Sequence, residues 1–329
     1  MLTRIKIQSL FNVYDYDIDL TNNDKTTVKF ITAPNGFGKT TILDFINAAM
    51  HQSYDKMFQI PFLQFEMFYD ETDSETIYKY AVTREEEKLA AKDTDVVQLL
   101  SRTLKIKLLR INGDEETLIE QFSVKQMPDG EVKTDGITAN TEMFFVSRTC
   151  FYLTDERNLV HKKDNIRVEE ETLVIEDIPV TPYPKELKEI LNSPEKSKKY
   201  EPQIQAFSDI INRCEFANKQ LEVDKRFGFR FVSDDELHTI LTLDQLSSGE
   251  KQMIIQVYEL LFRAQSGTLV LIDEPELSLH MMWQMNYLKN LSQIAQLRGF
   301  QCIVATHSPQ IFNSLWSKSV DLFNISNQK

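Results

Sequence analysis

Three stretches of the sequence predict an α/β fold. The first runs from an apolar β-type segment (Val28, Phe30, Ile31) through Ala33-Pro-Asn-Gly-Phe-Gly-Lys-Thr-Thr41 into a helical pattern of Ile42, Leu43, Phe45, Ile46, Ala49 and Met50. The other two, Thr268-Leu-Val-Leu-Ile-Asp273 and Gln301-Cys-Ile-Val-Ala-Thr306, are short apolar runs of the kind buried on both faces in a parallel sheet. Each ends in polar residues, where a parallel sheet places its ligand crevice.

Strand, glycine-bearing loop and helix in that order form a phosphate-binding loop. Gly36 and Gly38 let the backbone curl so that successive N–H groups point inward, and the first helical turn adds its positive dipole end. Asn35, Gly36, Phe37, Gly38, Lys39, Thr40 and Thr41 are therefore the candidate triphosphate ligands. Lys39 is placed to reach the β- and γ-phosphates, and the Thr40 hydroxyl to ligate Mg²⁺. Ala33 stands where the usual GxxxxGK[ST] pattern has its first glycine, a position that has only to be small. The bland alternative is a glycine-rich turn that binds nothing.

Composition narrows the class. A chain of 329 residues, 42% apolar and 26% charged, can bury a sizeable core in one or two domains. The opening Met1-Leu-Thr-Arg-Ile-Lys-Ile-Gln-Ser-Leu10 alternates like a strand, not like a targeting peptide. No apolar run approaches the ~20 residues that cross a bilayer, so a membrane role is not expected. Cys150, Cys214 and Cys302 are far apart, without a CxxC pair; they read as packing residues of a cytoplasmic protein. A formal net charge of −13 opposes bulk nucleic-acid binding, so any DNA contact has to be local.

Along the chain, residues 2 to 32 read as antiparallel strands with a polar turn at 21–24, and 61–69 and 76–83 as two more separated by an acidic turn at 70–74. The charged stretch 84–95 reads as a short helix or loop. Thr103, Lys105 and Lys107 alternate with Leu104, Ile106 and Leu108, which gives a strand with either a basic patch or an ordinary solvated face. Residues 125–141 read as an exposed loop and 143–146 as a buried strand. An acidic, proline-bearing irregular stretch covers 151–195. A helix follows over 202–223, with Ile204, Phe207, Ile210, Ile211 and Cys214 on one face, then strands at 227–232 and 238–243.

Asp273 and Glu274 close the first C-terminal strand. Asp273 is placed to hold Mg²⁺ and Glu274 to take a proton from, or orient, the water that attacks a γ-phosphate. The alternative is a strand that merely ends in an acidic turn. His307 follows the next strand, where it can reach a γ-phosphate; a lone histidine is as often structural. Between the halves, Leu246-Ser-Ser-Gly-Glu-Lys-Gln252 opens an amphipathic helix with Met253, Ile254, Val257, Leu260 and Leu261 on its apolar side. Ser247 and Ser248 with Glu250 would by themselves make an ordinary helix N-cap.

Leu-Ser-x-Gly-Glu is also the signature motif of ABC-type ATPases. Together with 35–40, Asp273-Glu-Pro-Glu276 and Thr306-His-Ser308, it resembles the SMC/RecF/OLD-like branch, a stand-alone AAA_21/AAA_15-like ATPase. The resemblance covers roughly residues 1–50 and 225–329. It implies a P-loop NTPase head of ABC type, α/β with a mixed sheet, an N-terminal antiparallel β subdomain and a short helical insertion. The division implied is an N-terminal lobe at 1–60, an insertion and partner-docking region at 61–225, and a C-terminal lobe at 226–329.

Further expectations come with the likeness. The cofactors implied are ATP and Mg²⁺, with Glu274 and His307 catalytic, Thr40 and Asp273 on the metal, and Ser247, Ser248, Gly249 and Glu250 binding the nucleotide of a second subunit. The protein would be a hydrolase acting as an ATP-sandwiched homodimer. The family's Q-loop glutamine has its place near 145–149, with Gln121 and Gln126 as weaker candidates, and the D-loop falls at 277–280. The chain ends about twenty residues past His307, too few for a Toprim nuclease domain, so a separate effector protein, a nuclease among the candidates, is expected. The role implied is a switch in DNA metabolism or an antiphage module. The alternatives are a transporter's nucleotide-binding subunit, disfavoured because Thr40 and Ser247 stand about two hundred residues apart, and an ATP-binding scaffold without turnover.

Overall fold

The computed structural model describes residues 1–21, 27–70, 76–90, 97–136, 149–153, 159–160, 182–312 and 315–326. The chain forms two compact units: Met1–Lys25, Ile31–Cys150 and Ser319–Lys329 make the first, Thr26–Phe30 and Phe151–Lys318 the second. This grouping divides residues 61–225 between the two units instead of leaving them as one region.

The first unit begins with β1 (Leu2–Leu10) and β2 (Tyr14–Asp19); β3 (Val28–Thr32), its first three residues counted with the second unit, leads into α1 (Lys39–His51) and the short α2 (Asp55–Gln59). Then come β4 (Gln64–Asp70), β5 (Thr76–Ala90), β6 (Val97–Asn112), β7 (Glu115–Gln126) and β8 (Val132–Asp135). Seven of these strands form one sheet in the order β2-β1-β4-β5-β6-β7-β8, antiparallel throughout. In β1 the buried residues are Leu2, Ile5, Ile7 and Leu10, a spacing that strict alternation would break. Register shifts at Leu2/Arg4 and Ile7/Leu10 absorb the extra residues and keep the apolar set on one face. Helix α1 covers that face through Phe45, whose ring lies 4.9 Å from Phe62 and 5.5 Å from Phe65.

Residues 84–90 are neither helix nor loop: β5 runs on through them, with Arg84 opposite Leu104 and Glu87 opposite Ser101 of β6. Their charge misled because five of the seven residues from Arg84 to Ala90 are charged, and the partner strand supplies the pairing that propensity does not. Residues 125–135 likewise extend β7 and add β8, with Val124 opposite Thr134; 137–148, including the strand expected at 143–146 and most of the Q-loop position, lie outside the described residues. Gln121 and Gln126 sit in β7 opposite Lys107 and Arg102. Leu104, Ile106 and Leu108 are buried as the alternation requires. On the other face Lys105 pairs with Glu85 at 2.7 Å and Lys125 with Glu87 at 3.5 Å, so cross-strand glutamates offset part of the basic stripe.

The second unit holds β9 (Cys150–Leu153, its first residue counted with the other unit), β10 (Leu159–Val160), α3 (Pro182–Asn192), α4 (Pro194–Lys199) and α5 (Glu201–Arg213). The three-stranded sheet β11 (Lys219–Asp224), β12 (Gly228–Ser233) and β13 (Ile240–Leu241) follows. Helix α6 (Ser248–Tyr258) continues as a π-turn over Glu259–Arg263; then come β14 (Leu269–Asp273), a 3-10 turn (Pro275–Ser278), α7 (Met281–Arg298) and β15 (Gln301–Thr306). The six-stranded main sheet orders β10-β9-β14-β15-β3-β16, its last strand being Ser319–Asp321, with β14 and β15 parallel and Asp273 opposite Ala305. At the chain end β16 (Ser319–Asp321) and α8 (Leu322–Ser326) return to the first unit, where the Thr32 hydroxyl donates to Val320 O at 3.4 Å.

The part of the irregular-looking stretch from 182 to 195 is helical on both sides of Ser193. Pro182 and Pro194 stand at the first position of α3 and α4, where the missing N–H costs nothing. The helix expected over 202–223 ends at Arg213, and 219–224 is strand. The Asn212 amide fixes that change, accepting the N–H of Leu221 at 2.8 Å and donating to its carbonyl at 3.2 Å. Gly228 has φ +82°, and a Cβ there would collide with Pro184 O, so only glycine lets β12 approach α3. One apolar core spans this unit, with Phe207 packed edge-on against Phe229 at 5.4 Å and Tyr258 at 5.8 Å. Among the described residues no helix is long and apolar enough to cross a membrane.

Candidate functional site

In the first unit, the loop after β3 turns on two glycines with positive φ, Gly36 at +87° and Gly38 at +84°, and Gly38 is the residue before α1. A Cβ on Gly38 would stand 2.8 Å from Leu10 Cδ2 and 3.2 Å from Phe11 Cε2, so the β1–β2 turn presses directly on the loop. Tyr16 donates its hydroxyl to Phe37 O at 2.8 Å, and the Phe37 ring lies 5.3 Å from Tyr14 and 5.5 Å from Phe323. These aromatic supports carry no motif, and only the fold assembles them.

Pro34, Asn35 and Gly36 are exposed, while Thr40 and Thr41 are half-buried. The first turn of α1 contains no acid, so its N–H groups and dipole remain uncompensated by a local carboxylate. Lys39 is 5% exposed, and its ammonium donates to Ala33 O at 3.0 Å and Pro34 O at 3.5 Å. A buried cation inside a curl of N–H groups suits a polyanion. The residues present fit a triphosphate: glycine backbone where a side chain would intrude, one flexible ammonium and a hydroxyl at the next position.

The second unit brings together the acidic strand end and the histidine. Asp273, the last residue of β14, is 2% exposed. Glu274 takes the left-handed conformation, φ +40°, after its N–H donates to Ala305 O of β15 at 2.8 Å. That conformation costs a non-glycine residue of order 1–3 kcal/mol and is typical of positions held for function. It turns the Glu274 side chain toward His307, whose Nδ1 lies 3.6 Å from Glu274 Oε1 and 3.2 Å from Glu276 Oε1. The His307 ring is 43% exposed, so the arrangement opens to solvent.

The same unit holds the Ser247–Glu250 segment. The Ser247 hydroxyl accepts the Glu250 N–H at 3.3 Å, and the Glu250 carboxylate accepts the Ser247 N–H at 2.7 Å, a complete capping box. Lys219 of β11 adds an ion pair to Glu250 at 2.9 Å. The Glu250 side chain is thus turned inward, whereas Ser247 and Ser248 are exposed at the helix start and Gly249 is buried. Sequence reasoning assigned no role to Glu276, Gln284 or Lys219. The two glutamates of 274–276 stand in one short acidic run, which was the available signal for Glu276.

Among the described residues no cluster of three or more His, Cys, Asp or Glu side chains forms a metal site. Of the two oxygens expected on Mg²⁺, the Thr40 hydroxyl belongs to the first unit and the Asp273 carboxylate to the second.

A family model described as "AAA domain, putative AbiEii toxin, Type IV TA system" (AAA_21) matches residues 34–313. The "Retron Ec83 probable ATPase" of Escherichia coli is 33% identical over 97 residues, which cover 26% of this chain and 18% of that protein. Among solved structures, an SMC head bound to the C-winged helix domain of ScpA aligns over 94% of this chain and 90% of its own, at 12% identity and TM-score 0.47. An SMC head domain from Thermotoga maritima aligns over 95% and 91%, at 13% identity and TM-score 0.39.

Proposed function

The chain belongs to the AAA_21 family of AAA-domain proteins, and from that premise we propose that it is an ATP-driven switch whose two copies pair when they hold nucleotide. As an ATPase of the AAA/ABC kind it needs a phosphate cradle, a base for water and a group that responds to the γ-phosphate. The observation that carries the reading is the His307–Glu274 pair, 3.6 Å apart at the polar ends of two adjacent parallel strands.

In this reading Asn35 to Thr41 bind the triphosphate through backbone N–H groups, with Lys39 as the mobile positive charge. Thr40 and Asp273 would hold Mg²⁺, which would supply charge neutralisation for transfer of the terminal phosphoryl group. Glu274 accepts a proton from the attacking water or orients it, and His307 meets the γ-phosphate. Ser247, Ser248 and the N–H groups of α6 bind the γ-phosphate of a second copy, with Gly249 allowing close approach and Glu250 holding the cap. A single copy then lacks part of each site, and hydrolysis releases the pair.

A cytoplasmic defence role with a separate effector protein is proposed from similarity to the retron protein, of which this chain matches less than a fifth. The net charge of −13 and the cross-strand pairing of Lys105 with Glu85 favour a protein effector over DNA. The test is turnover and particle mass with and without MgATP. Glu274→Gln is expected to slow phosphate release about 100-fold or more while accumulating dimer, and Lys39→Ala to bind no nucleotide and stay monomeric. Undiminished turnover in the first variant, or nucleotide-dependent pairing in the second, overturns the reading.

A further inference from the structure

One buried carboxylate beside His307 has no part in the chemistry above. Glu276 stands in the 3-10 turn after Glu274, with its side chain 4% exposed. Its Oε1 accepts the Thr306 hydroxyl at 2.6 Å, the His307 N–H at 2.9 Å and the Ser308 N–H at 3.2 Å, and faces His307 Nδ1 at 3.2 Å. Among the described residues its Oε2 makes no hydrogen bond, so the whole of its hydrogen bonding is spent on the 306–308 turn.

A neutral acceptor could collect those N–H groups at less desolvation cost, since burying a carboxylate is expensive unless something charged or strongly polar gains from it. The group that gains is the imidazole. With Glu276 at 3.2 Å and Glu274 at 3.6 Å from Nδ1, that nitrogen carries the hydrogen, and Nε2 is left as the ring atom free for solvent or ligand. The same turn is held from a third side. Gln284 of α7 donates to the carbonyls of Glu276 at 3.3 Å and Leu279 at 3.0 Å, and its Oε1 lies 3.0 Å from the Ser308 hydroxyl.

We infer that Glu276 is the positioning residue for His307: it fixes the ring and its Nδ1–H tautomer so that Nε2 meets the γ-phosphate. The inference rests on the ATPase reading for its consequence in turnover, but the tautomer is a property of the chain alone. Free imidazole of histidine prefers the hydrogen on Nε2, so the predicted state is the opposite of the default.

The experiment combines kinetics with ring ¹⁵N shifts of the five histidines, His307 being assigned by its loss in His307→Gln. In the full chain at alkaline pH, His307 is expected to show a pyrrole-type Nδ1 and a pyridine-type Nε2. Glu276→Gln keeps an acceptor for the turn but removes the charge; it is expected to abolish that pattern and lower kcat at least tenfold, with KM changed less than twofold. Glu276→Asp, which restores the charge, is expected to recover more activity than Gln; a residue that merely caps the turn would give the reverse order. Wild-type kcat and an unchanged tautomer in Glu276→Gln overturn the proposal, as does an Nε2–H tautomer in the unsubstituted protein. If the Gln variant does not fold, Glu276→Asp and the wild-type tautomer decide the matter. If the unsubstituted protein neither binds nor hydrolyses MgATP, the ATPase reading fails, and the ¹⁵N shifts still decide the role of Glu276.

Discussion

Tyr183 donates its hydroxyl to Glu259 Oε1 at 2.8 Å, and Glu259 is fully buried. The same oxygen lies 3.1 Å from the Arg263 guanidinium, which also reaches Glu186 of α3 at 2.9 Å. Burial, and after it the Glu259 charge, pushes the Tyr183 phenol well above its ordinary range. The network ties α3 to the π-turn that continues the helix opened by Ser248. Tyr183→Phe removes a donor from a buried carboxylate and should destabilise the protein by about 1–3 kcal/mol, read from urea unfolding.

The loop glycines differ in a measurable way. Both Gly36 and Gly38 sit at positive φ, but nothing lies within 4 Å of a Cβ on Gly36, while one on Gly38 meets Leu10 at 2.8 Å. Gly36→Ala should cost only the left-handed strain, of order 1–2 kcal/mol. Gly38→Ala should cost more, because Leu10 and Phe11 must also shift, and it should weaken binding of a fluorescent ATP analogue further. Equal melting temperatures for the two variants would contradict the packing of the β1–β2 turn on the loop.

Glu250 serves two partners at once, the Ser247 N–H at 2.7 Å and Lys219 at 2.9 Å. Glu250→Ala should lower stability by about 1–3 kcal/mol, since it leaves both without their acceptor. Glu250→Gln retains the acceptor for the cap and should cost less. Chemical denaturation of the two variants checks the order.

Stability should fall in alkali through a tyrosine pair. Tyr54 and Tyr80 are buried with their hydroxyls 2.9 Å apart; burial pushes Tyr54 up to about 12, the bond to Tyr80 partly opposing it, and Tyr80 is raised well above its usual value. A phenol raised on folding stabilises the native state below the unfolded value near 10. That contribution is lost as pH climbs from about 10 to about 12, at roughly 1.4 kcal/mol per pH unit for each phenol. The double variant Tyr54→Phe/Tyr80→Phe should show a shallower decline than the unsubstituted protein in urea unfolding between pH 9 and 11.

Local pattern was legible where a residue's role depends on its near neighbours. Val28 to Thr41 reads as strand, loop and helix because glycine spacing and apolar periodicity state it directly, and Leu269–Asp273 and Gln301–Thr306 read as parallel strands because both faces are apolar. Arg84–Ala90 did not, since a polar strand is recognised only by the strand beside it. The helix break after Arg213 was hidden for a similar reason: the Asn212 amide serves Leu221, nine residues on.

The sequence by itself determined the chemical inventory: the glycines and Lys39 of the loop, the acids at 273–276, the Ser247 cap and His307, each set by residues within a few positions of one another. Tertiary structure alone decided which of these side chains meet. Glu274 and Glu276 converge on His307 because β14 and β15 run parallel and in register, with Asp273 opposite Ala305. Hydrogen bonding between strands separated by nearly thirty residues fixes that convergence, and no local propensity encodes it.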